Sequence, residues 1–417
     1  MKIAIIGTGT AAILSLCHCL THLDSKSWEV YSINDPNKPI FGVGESTSTQ
    51  IPCVLHDAIG FNLLENANEL DATLKLAVKF SKWRDRDFYN HLTLPSYAMH
   101  FDNTVLRDYV LRRLHEVYDN FFEIHGNVSS IEDVDIWYKQ KFEVRQTKVI
   151  KKPTFCPRVK VKVNVEDKGY DFDYVIDCGG YPEDYSDYKV SKRFVGVNNC
   201  LVYNVNEPVN VNYTEHIATP NGWLFRIPLR SRQEWGYLYN DNITTKEDAI
   251  KDFKENYISN MDVGDLREFK FKSYVANTVF DGRILKNGDR AFFYEPIEAF
   301  NGYLYEQVLS SFFGYLNGHF SLEGINDNIL QKANEVELAI AYIYHGGSIY
   351  NTPFWEYVKE SFGIKLNRDR DWKRHYKFIK ERMREDPMGV EARYDGVGAF
   401  SVKNWVDLER NLGYDIF

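Results

Sequence analysis

Lys75 is the residue whose type and position most favour chemistry in this chain. It lies in the alternating run 74–80, which predicts a strand with two different faces. One face carries Leu74, Leu76, Val78 and Phe80, and the other carries Lys75, Ala77 and Lys79. A lysine on a strand that must pack is ion-paired, solvated or used as a chemical group. The pattern places Lys79 on the same face, so physical reasoning alone does not choose between the two lysines.

A glycine-rich turn at the start of the chain indicates a dinucleotide site. The motif GxGxxA lies between a predicted strand and a predicted helix, and its defining residues are Gly7, Gly9, Thr10, Ala11 and Ala12. The first glycine permits a tight turn, the second lets the backbone approach a pyrophosphate, and the helix N-terminus faces the phosphates. Asn34 or Asp35 ends the next predicted strand, where a residue that binds the ribose is expected.

Two later segments favour FAD over NAD as the cofactor. A Gly288-Asp289 turn precedes the run 295–298, and in flavoproteins a late Gly-Asp turn returns the chain to the flavin. The segment 177–180 is predicted to end a strand of the same nucleotide domain. Only one dinucleotide-binding start is visible, so we predict no separate NAD(P)H domain. Another protein must then reduce the flavin.

The composition is that of a globular chain and argues against several kinds of partner. The 417 residues include 50 Lys and Arg against 59 Asp and Glu, and the net charge of −9 argues against binding to nucleic acid. The basic stretch 368–384 is interleaved with acidic residues, which is typical of a solvated helix face. No two of the six cysteines form a CxxC pair, so we predict no metal site. Neither a signal peptide nor a membrane segment is visible, and we expect a cytoplasmic protein with no membrane partner.

Further motifs carry a resemblance to a known enzyme family. A GVGEST loop at residues 42–47 is followed by Lys75, by GWLFRIP at 222–228, by EPIE at 295–298 and by NTPFW at 351–355. Together with the glycine-rich turn, and in this order, these motifs resemble those of the flavin-dependent halogenases of the tryptophan halogenase group. The resemblance extends from residue 1 to about residue 360.

The resemblance implies that reduced FAD, oxygen and a halide ion together yield hypohalous acid, which reaches a separately bound aromatic substrate. It assigns Lys75 to orienting this electrophile, by a hydrogen bond or as a haloamine, and Glu298 to removing the ring proton. It also implies further cofactor contacts from Gly44, Glu45, Ser46, Thr47, Asp289 and Tyr303, a halide site at Phe300, Asn301 and Gly302, and substrate-side residues His100, Trp223 and Phe225. We expect a small electron-rich aromatic substrate, such as an indole or a phenol, and a separate flavin reductase.

The chain departs from the family pattern at two places. Phe225 replaces a tryptophan, and the loop from Glu298 to Gly302 is one residue longer. We expect a looser and less polar halide pocket there. Such a pocket favours bromide or iodide, because these ions lose their water more easily than chloride does.

Other interpretations stay open at the level of the sequence. Glu298 caps a helix in one of them, His100 is a packed histidine in another, and Trp223 and Phe225 belong to the core in a third. The alternative functions are a flavin-dependent aromatic hydroxylase, which does not need Lys75, and a FAD-binding protein that has lost catalysis. The oligomeric state is also open, a homo-oligomer included.

The predicted fold is α/β. It has a Rossmann-type FAD domain like that of the flavin monooxygenases, an antiparallel sheet layer and a helical C-terminal region. We predict a discontinuous FAD domain over residues 1–185 and 281–340, the sheet layer over 186–280 and the helical region over 341–417. Predicted helices begin after Asp102, at Tyr303 and at Pro353.

Overall fold

The computed structural model describes residues 1–38, 44–92, 97–133, 161–386 and 396–414. Ten α-helices lie within these ranges: α1 Thr10–His22, α2 Gln50–Ile59, α3 Leu63–Asn66, α4 Asn103–Val117, α5 Lys246–Asn256, α6 Phe300–Leu316, α7 Leu322–Gly346, α8 Pro353–Arg368, α9 Arg370–Glu385 and α10 Val402–Leu412. Gly42 and Val43 of the GVGEST loop, and Cys156, lie outside the described residues.

The strands of the described ranges form six sheets. In chain order they are β1 Lys2–Ile6, β2 Glu29–Asn34, β3 Gly44–Ser46, β4 Thr73–Lys75, β5 Ala77–Ser81, β6 Phe88–His91, β7 Ala98–Asp102, β8 Phe121–His125, β9 Val128–Asp133, β10 Val161–Val165, β11 Lys168–Phe172, β12 Tyr174–Asp177, β13 Tyr188–Val190, β14 Asn199–Val205, β15 Tyr213–Thr219, β16 Gly222–Pro228, β17 Gln233–Tyr239, β18 Arg267–Lys270, β19 Tyr274–Ala276, β20 Ile284–Lys286, β21 Phe292–Phe293, β22 Gly396–Val397 and β23 Phe400–Ser401.

The predicted nucleotide domain is built on a five-stranded parallel sheet. Its order is β20-β12-β1-β2-β8, and every neighbouring pair is parallel. Strand β1 is apolar along most of its length, as a central strand covered on both faces should be. The late strand β12 returns to this sheet beside β1, and β20 follows on its other side, which confirms the predicted return of the segment ending at Asp177.

A second sheet of seven strands forms the layer on which the candidate site rests. Its order is β18-β14-β17-β16-β15-β5-β6, antiparallel except for the parallel pair β15 and β5. One face packs into the main core through Val78, Phe80, Trp223 and Phe225. The other face packs against α5 through Leu201, Ile217, Leu224 and Tyr237. Because β5 and β6 belong to this sheet, the predicted limits of 186–280 for the sheet layer are too narrow.

The single strand predicted over residues 74–80 is wrong. The chain changes sheets at Leu76: β4 pairs with β7 in a small sheet of order β3-β7-β4, whereas β5 pairs with β15 and β6. Leu76 is bonded on the side of the seven-stranded sheet, since its N–H donates to the carbonyl of Asn212 next to β15 and its carbonyl accepts from the N–H of Leu92 next to β6. Lys75 and Lys79 therefore lie in different sheets, and Leu74 is 39% exposed instead of packed.

The helical predictions are mostly confirmed. The Asp102 carboxylate accepts hydrogen bonds from the backbone N–H groups of Thr104 (2.9 Å) and Val105 (3.2 Å), as an N-cap does. Helix α8 begins at Pro353 as predicted. Helix α6 begins at Phe300, three residues earlier than predicted, and α7 crosses the predicted boundary at residues 340–341. No helix in the described ranges combines the length and the apolar composition that crossing a membrane requires.

Candidate active site

The glycine-rich turn has the shape that a pyrophosphate needs. Gly7 has a φ of 104°, and a methyl group there would lie 2.6 Å from the carbonyl oxygen of Cys178. Gly9 is the N-cap of α1, and no atom of the described residues lies within 4 Å of the position that its β-carbon would take. As far as the described ranges extend, the space in front of the α1 N-terminus is open, and no side chain in them caps this helix end. Both features suit an anionic phosphate group.

Acidic side chains gather beside this turn. One oxygen of Glu45 accepts from the Thr10 hydroxyl (2.7 Å), and the other accepts from the Asn103 amide (2.7 Å). The turn at Asp289 packs against α1, because Gly288 approaches Ala11 so closely that a β-carbon would lie 2.7 Å away. Burial first, and then the charge of Glu45, raise the pKa of Asp289 to about 7. Glu45, Thr10 and Asp289 thus converge at one end of α1, where residues that bind a flavin nucleotide are expected.

Two predicted cofactor contacts look different in the structure. Asn34 is buried, and its side chain is already bonded to Ser32 (3.3 Å), Glu123 (3.3 Å) and His125 (3.1 Å). The Tyr303 hydroxyl contacts the Gly398 carbonyl (3.4 Å) in the C-terminal segment.

Tyr305 is the α6 tyrosine that lies near the acidic cluster. After burial, the charges of Asp289 and Glu45 are the main causes that raise its pKa. Side chains two residues apart on a helix point in nearly opposite directions. Tyr303 therefore does not face the same site as Tyr305. We therefore infer that Tyr305, rather than Tyr303, belongs to the cofactor site.

We predict that Gly9→Val abolishes FAD binding and leaves the fold intact. The apoprotein has room for the new side chain, but the side chain fills the space in front of α1. The dissociation constant for FAD should rise by at least about 100-fold, since the backbone no longer approaches the pyrophosphate. Flavin fluorescence titration measures this, and thermal unfolding without FAD checks the fold.

Gly396→Val is the matched control for this change, because Gly396 lies in β22 and no atom of the described residues lies within 4 Å of its β-carbon position either. Equal FAD affinities of the two variants would contradict the assignment.

Lys75 is one of the most buried charged side chains of the described residues. It is 2% exposed, and its amine donates a hydrogen bond to the Ser46 hydroxyl (2.6 Å). Burial lowers the pKa of Lys75 below the ordinary value, and the negative charge of Glu298 acts in the opposite direction. A buried amine with a lowered pKa is suited to chemistry near neutral pH.

Lys79, in contrast, has the features of a structural lysine. Its amine forms ion pairs with Glu215 (2.8 Å) and Asp87 (2.8 Å), and these partners raise the pKa of Lys79. It lies on the face of β5 that pairs with Glu215, opposite the face that carries Phe80. The structure thus separates the two lysines, which the sequence pattern had placed together.

Glu298 is near enough to Lys75 for the two charges to interact, and its backbone has an unusual conformation. Burial raises the pKa of Glu298, while Lys75 and a hydrogen bond from the Asn90 amide (3.1 Å) lower it. Asn404 of α10 donates in turn to the Asn90 oxygen (2.8 Å), so the C-terminal helix supports this carboxylate. Glu298 and Ala299 both have left-handed backbone angles, with φ of 58° and 57°. Such strain in non-glycine residues is characteristic of functional sites.

Aromatic rings cover the sheet face beside these groups. His216 lies between two rings of that face: its ring centroid is 4.7 Å from that of Trp223 and 5.3 Å from that of Phe80. The Phe225 ring lies directly over Gly236, where any side chain would collide with it. Trp223 is fully buried and donates to the Tyr344 hydroxyl (2.9 Å). Trp223 and Phe225 are thus parts of a packed wall.

His100 is placed differently from the predicted substrate-side position. It is fully buried, and both ring nitrogens are hydrogen-bonded, Nδ1 to Thr73 (2.9 Å) and Nε2 to Thr214 (2.9 Å). Burial, followed by the charge of Lys75, lowers the pKa of His100 well below its usual value. A neutral histidine with both nitrogens hydrogen-bonded to protein groups has a structural role next to the site and does not face the substrate.

The predicted halide residues begin α6. Ala299 is the N-cap and offers no capping side chain. Gly302 faces the loop after β3, because a β-carbon there would lie 3.7 Å from the Ser48 backbone nitrogen. The Asn301 side chain is engaged elsewhere, since it accepts from the Tyr294 N–H (3.0 Å) and donates to the Tyr294 carbonyl (2.7 Å). The Phe300 ring packs against Phe400. Only the backbone at this helix start is therefore suited to an anion.

Sequence reasoning missed the polar residues that hold Lys75 and Glu298 in place. They are Thr73, Thr214, Asn90 and Asn404. None lies in a motif, and Asn404 is more than 300 residues from Asn90 in the chain. No group of three or more His, Cys, Asp and Glu side chains able to hold a metal ion occurs among the described residues.

Comparison with known proteins identifies the family. The sequence model of the tryptophan halogenase family matches residues 2–154 and 146–382. Tryptophan 7-halogenase RebH of Lentzea aerocolonigenes is 21% identical over 86% of this chain and 79% of its own length. Tryptophan 7-halogenase KtzQ of Kutzneria sp. is 23% identical over 72% of this chain and 66% of its own.

Solved structures agree on the fold. The tryptophan halogenase of Shewanella frigidimarina superimposes with a TM-score of 0.75 at 15% identity, over 99% of this chain and 89% of that one. Xcc4156, a flavin-dependent halogenase of Xanthomonas campestris, gives 0.74 at 16% identity, over 99% and 88%. The predicted α/β fold of the flavin-dependent halogenases is thereby confirmed. The chain belongs to the tryptophan halogenase family of flavin-dependent halogenases.

Proposed function

We propose that this protein is a halogenase that uses reduced FAD, oxygen and a halide ion to halogenate a small, electron-rich aromatic compound. The observation that carries the proposal is the buried amine of Lys75, which is hydrogen-bonded to Ser46 and near enough to the Glu298 carboxylate for each group to act on the pKa of the other. A hydroxylase has no need of such a pair. The resemblance of the motifs and the family membership support the same activity.

The cofactor fits the residues at the N-terminus of α1. Gly7 and Gly9 leave room for the pyrophosphate, and Thr10, Glu45 and Asp289 surround the same helix end. Bound reduced FAD supplies, with oxygen, the oxidising power that converts halide into hypohalous acid. In this proposal hypohalous acid forms at the flavin site. It then reacts with the aromatic substrate at a separate site, which contains Lys75.

Lys75 orients the electrophile. Its ammonium form donates a hydrogen bond to the oxygen of hypohalous acid, which makes that oxygen a better leaving group as water. In its neutral form the amine itself carries the halogen, and the lowered pKa of Lys75 makes this form accessible. In both cases the aromatic ring gains the halogen and loses one proton.

Glu298 accepts that ring proton or stabilises the positive charge on the ring before the proton leaves. Its raised pKa makes it a stronger base than an ordinary glutamate. The Asn90 amide fixes one oxygen of the carboxylate. Within the described part of the chain, no group donates a hydrogen bond to the other oxygen, and we assign that oxygen to the substrate.

We assign the halide ion to the backbone at the start of α6, between Ala299 and Gly302. The uncapped helix end favours an anion, and Gly302 lets it approach closely. The Asn301 side chain is occupied by Tyr294, so it adds no polar group to the pocket. This supports the expectation of a weakly polar site, in which bromide and iodide are used in preference to chloride.

We predict at least about 10-fold higher kcat/KM for bromide than for chloride, because a weakly polar pocket compensates poorly for the lost hydration of the smaller ion. Parallel turnover with chloride, bromide and iodide at equal ionic strength measures this. A preference for chloride would contradict the proposed pocket and leave the halogenase assignment intact.

The activity is tested by incubating the protein with reduced FAD, each halide and a panel of indoles and phenols, followed by mass spectrometry. The expected product carries one halogen in place of hydrogen. A product with an added oxygen and no halogen indicates a hydroxylase, and labelled oxygen gas identifies its source. If no aromatic in the panel is changed although FAD binds, the protein has lost catalysis. The separate reductase, the cytoplasmic location and a homo-oligomer stay predictions.

A further inference from the structure

Ser46, Thr214, His100 and Thr73 connect Lys75 to the sheet in an unbroken series of hydrogen bonds. Lys75 contacts Ser46 (2.6 Å), Ser46 contacts Thr214 (3.3 Å), and Thr214 contacts His100 (2.9 Å). His100 then contacts Thr73 (2.9 Å), whose hydroxyl donates to the Pro228 carbonyl (2.6 Å). We call these residues the Lys75 relay.

The two sheets bring the relay together. Ser46 and Thr73 lie opposite His100 on either side of β7, so these three residues form one row across the small sheet. Thr214 faces them from β15 of the seven-stranded sheet. Pro228 ends β16, within the GWLFRIP motif. The relay therefore spans the junction between the small sheet and the seven-stranded sheet.

The Pro228 carbonyl, at the end of the relay farthest from Lys75, fixes the direction of every hydrogen bond in the relay. A carbonyl oxygen only accepts, so the Thr73 hydroxyl must donate to Pro228 and must accept from His100 Nδ1. A neutral histidine carries one N–H, so its Nε2 accepts from Thr214. Thr214 has then used its only hydrogen and accepts from Ser46. Ser46 has used its own hydrogen in turn, and can only accept from Lys75.

The buried environment keeps His100 in this neutral state. Its ring is fully buried, and the positive charge of Lys75 lowers its pKa further. Each hydroxyl oxygen of the relay therefore accepts a hydrogen bond from the neighbour on its Lys75 side and donates to the neighbour on the other side. Aligned hydrogen bonds strengthen one another, so Ser46 becomes a better acceptor for an ammonium group than an isolated serine.

We propose that Thr214 and His100 are positioning residues for Lys75: acting through Ser46, they hold its amine in one place as a donor and stabilise its positive charge inside the protein. The inference rests on the proposed role of Lys75. The relay offsets part of the effect of burial, so Lys75 enters each cycle as an ammonium ion that points at the electrophile. Removal of one relay hydroxyl should lower the pKa of Lys75 further and reduce turnover.

Three threonine variants test the relay. Thr214→Val removes the hydroxyl at nearly constant volume, and Thr214→Ser keeps it. Thr219→Val is the matched control, because Thr219 is buried on the same strand and its hydroxyl bonds to Tyr237 (2.9 Å), away from Lys75. The charged and titratable groups that act on Lys75, namely Glu298 before α6, His100 on β7 and His216 on β15, are unchanged in all three.

The first measurement does not need turnover. The rate at which a small acylating reagent modifies Lys75 is followed against pH by peptide mass spectrometry, and its midpoint reports the pKa of the amine. For Thr214→Val we expect a midpoint about half a pH unit or more below that of the wild type, because the relay no longer stabilises the charge. Thr214→Ser and Thr219→Val should match the wild type.

The second measurement is halogenation at neutral pH. Thr214→Val should lower kcat about 10-fold with little change in the KM for reduced FAD, and Thr214→Ser should restore it. Equal midpoints and equal kcat values for Thr214→Val and Thr219→Val would overturn the relay while the halogenase assignment stands. If the wild type halogenates nothing, the proposed function fails, and the modification midpoints alone still decide whether the relay exists.

Discussion

Lys75→Met should lower halogenation by at least about 1000-fold, because the electrophile loses the one group that orients it near the substrate. Methionine fills a similar volume, so the buried position does not become a cavity. FAD binding should persist, since the hydrogen bond that the described residues give Lys75 goes to Ser46 and not to the N-terminus of α1. The rate of oxygen consumption by reduced FAD should also persist. Product formation is measured by mass spectrometry and oxygen uptake by an electrode.

Lys79→Met is the matched control for this prediction. It removes a lysine from a neighbouring strand, but one that is committed to ion pairs with Glu215 and Asp87. We expect it to lower stability and to leave the rate per folded molecule within about 3-fold of the wild type. If Lys79→Met abolishes halogenation and Lys75→Met does not, the assignment of the catalytic lysine is wrong.

Glu298→Gln should lower kcat by about 100-fold or more, since an amide does not accept the ring proton. The substitution keeps the size of the side chain and its hydrogen bond from Asn90. It also removes the negative charge that raises the pKa of Lys75, so that pKa should fall further. Because the Lys75 relay holds this amine as an ammonium ion, the alkaline limb of the pH profile should then move to lower pH.

Glu335→Gln provides the control for Glu298. Glu335 is another buried carboxylate, but it lies on α7 and is bonded to Lys332 (2.9 Å) and Gln331 (3.1 Å). Its substitution should leave the pH profile unchanged. A Glu298→Gln variant with wild-type kcat would show that the carboxylate only fixes the turn before α6.

The residues that the sequence placed well are those whose role is local. The turn at Gly7 and Gly9 needs only its own backbone and one close neighbour, and the N-cap at Asp102 bonds to residues two and three positions later. Such features depend mainly on residues that are close together in the sequence, so the sequence alone predicts them. The late return of Asp289 to α1 was also visible, because it is carried by a Gly-Asp turn.

The residues that the sequence placed poorly depend on distant segments. The change of sheet at Leu76 depends on backbone hydrogen bonds to Asn212 and Leu92. The residue pattern of the run 74–80 does not predict these two partners. The early start of α6 follows from left-handed angles at Glu298 and Ala299, which neither residue type favours by itself. The supports of the two functional groups, such as Thr214 and Asn404, carry no local pattern at all.

The central claim is that an amine held apart from the flavin, Lys75, directs an oxidised halogen onto an aromatic ring. The measurement that tests it most directly is the partition between ring-halogenated product and hypohalous acid caught by an added scavenger amine, compared in the wild type and in Lys75→Met. We predict that the wild type delivers most of the halogen to the ring, whereas Lys75→Met delivers nearly all of it to the scavenger at an unchanged total. An unchanged partition in the variant would contradict the account.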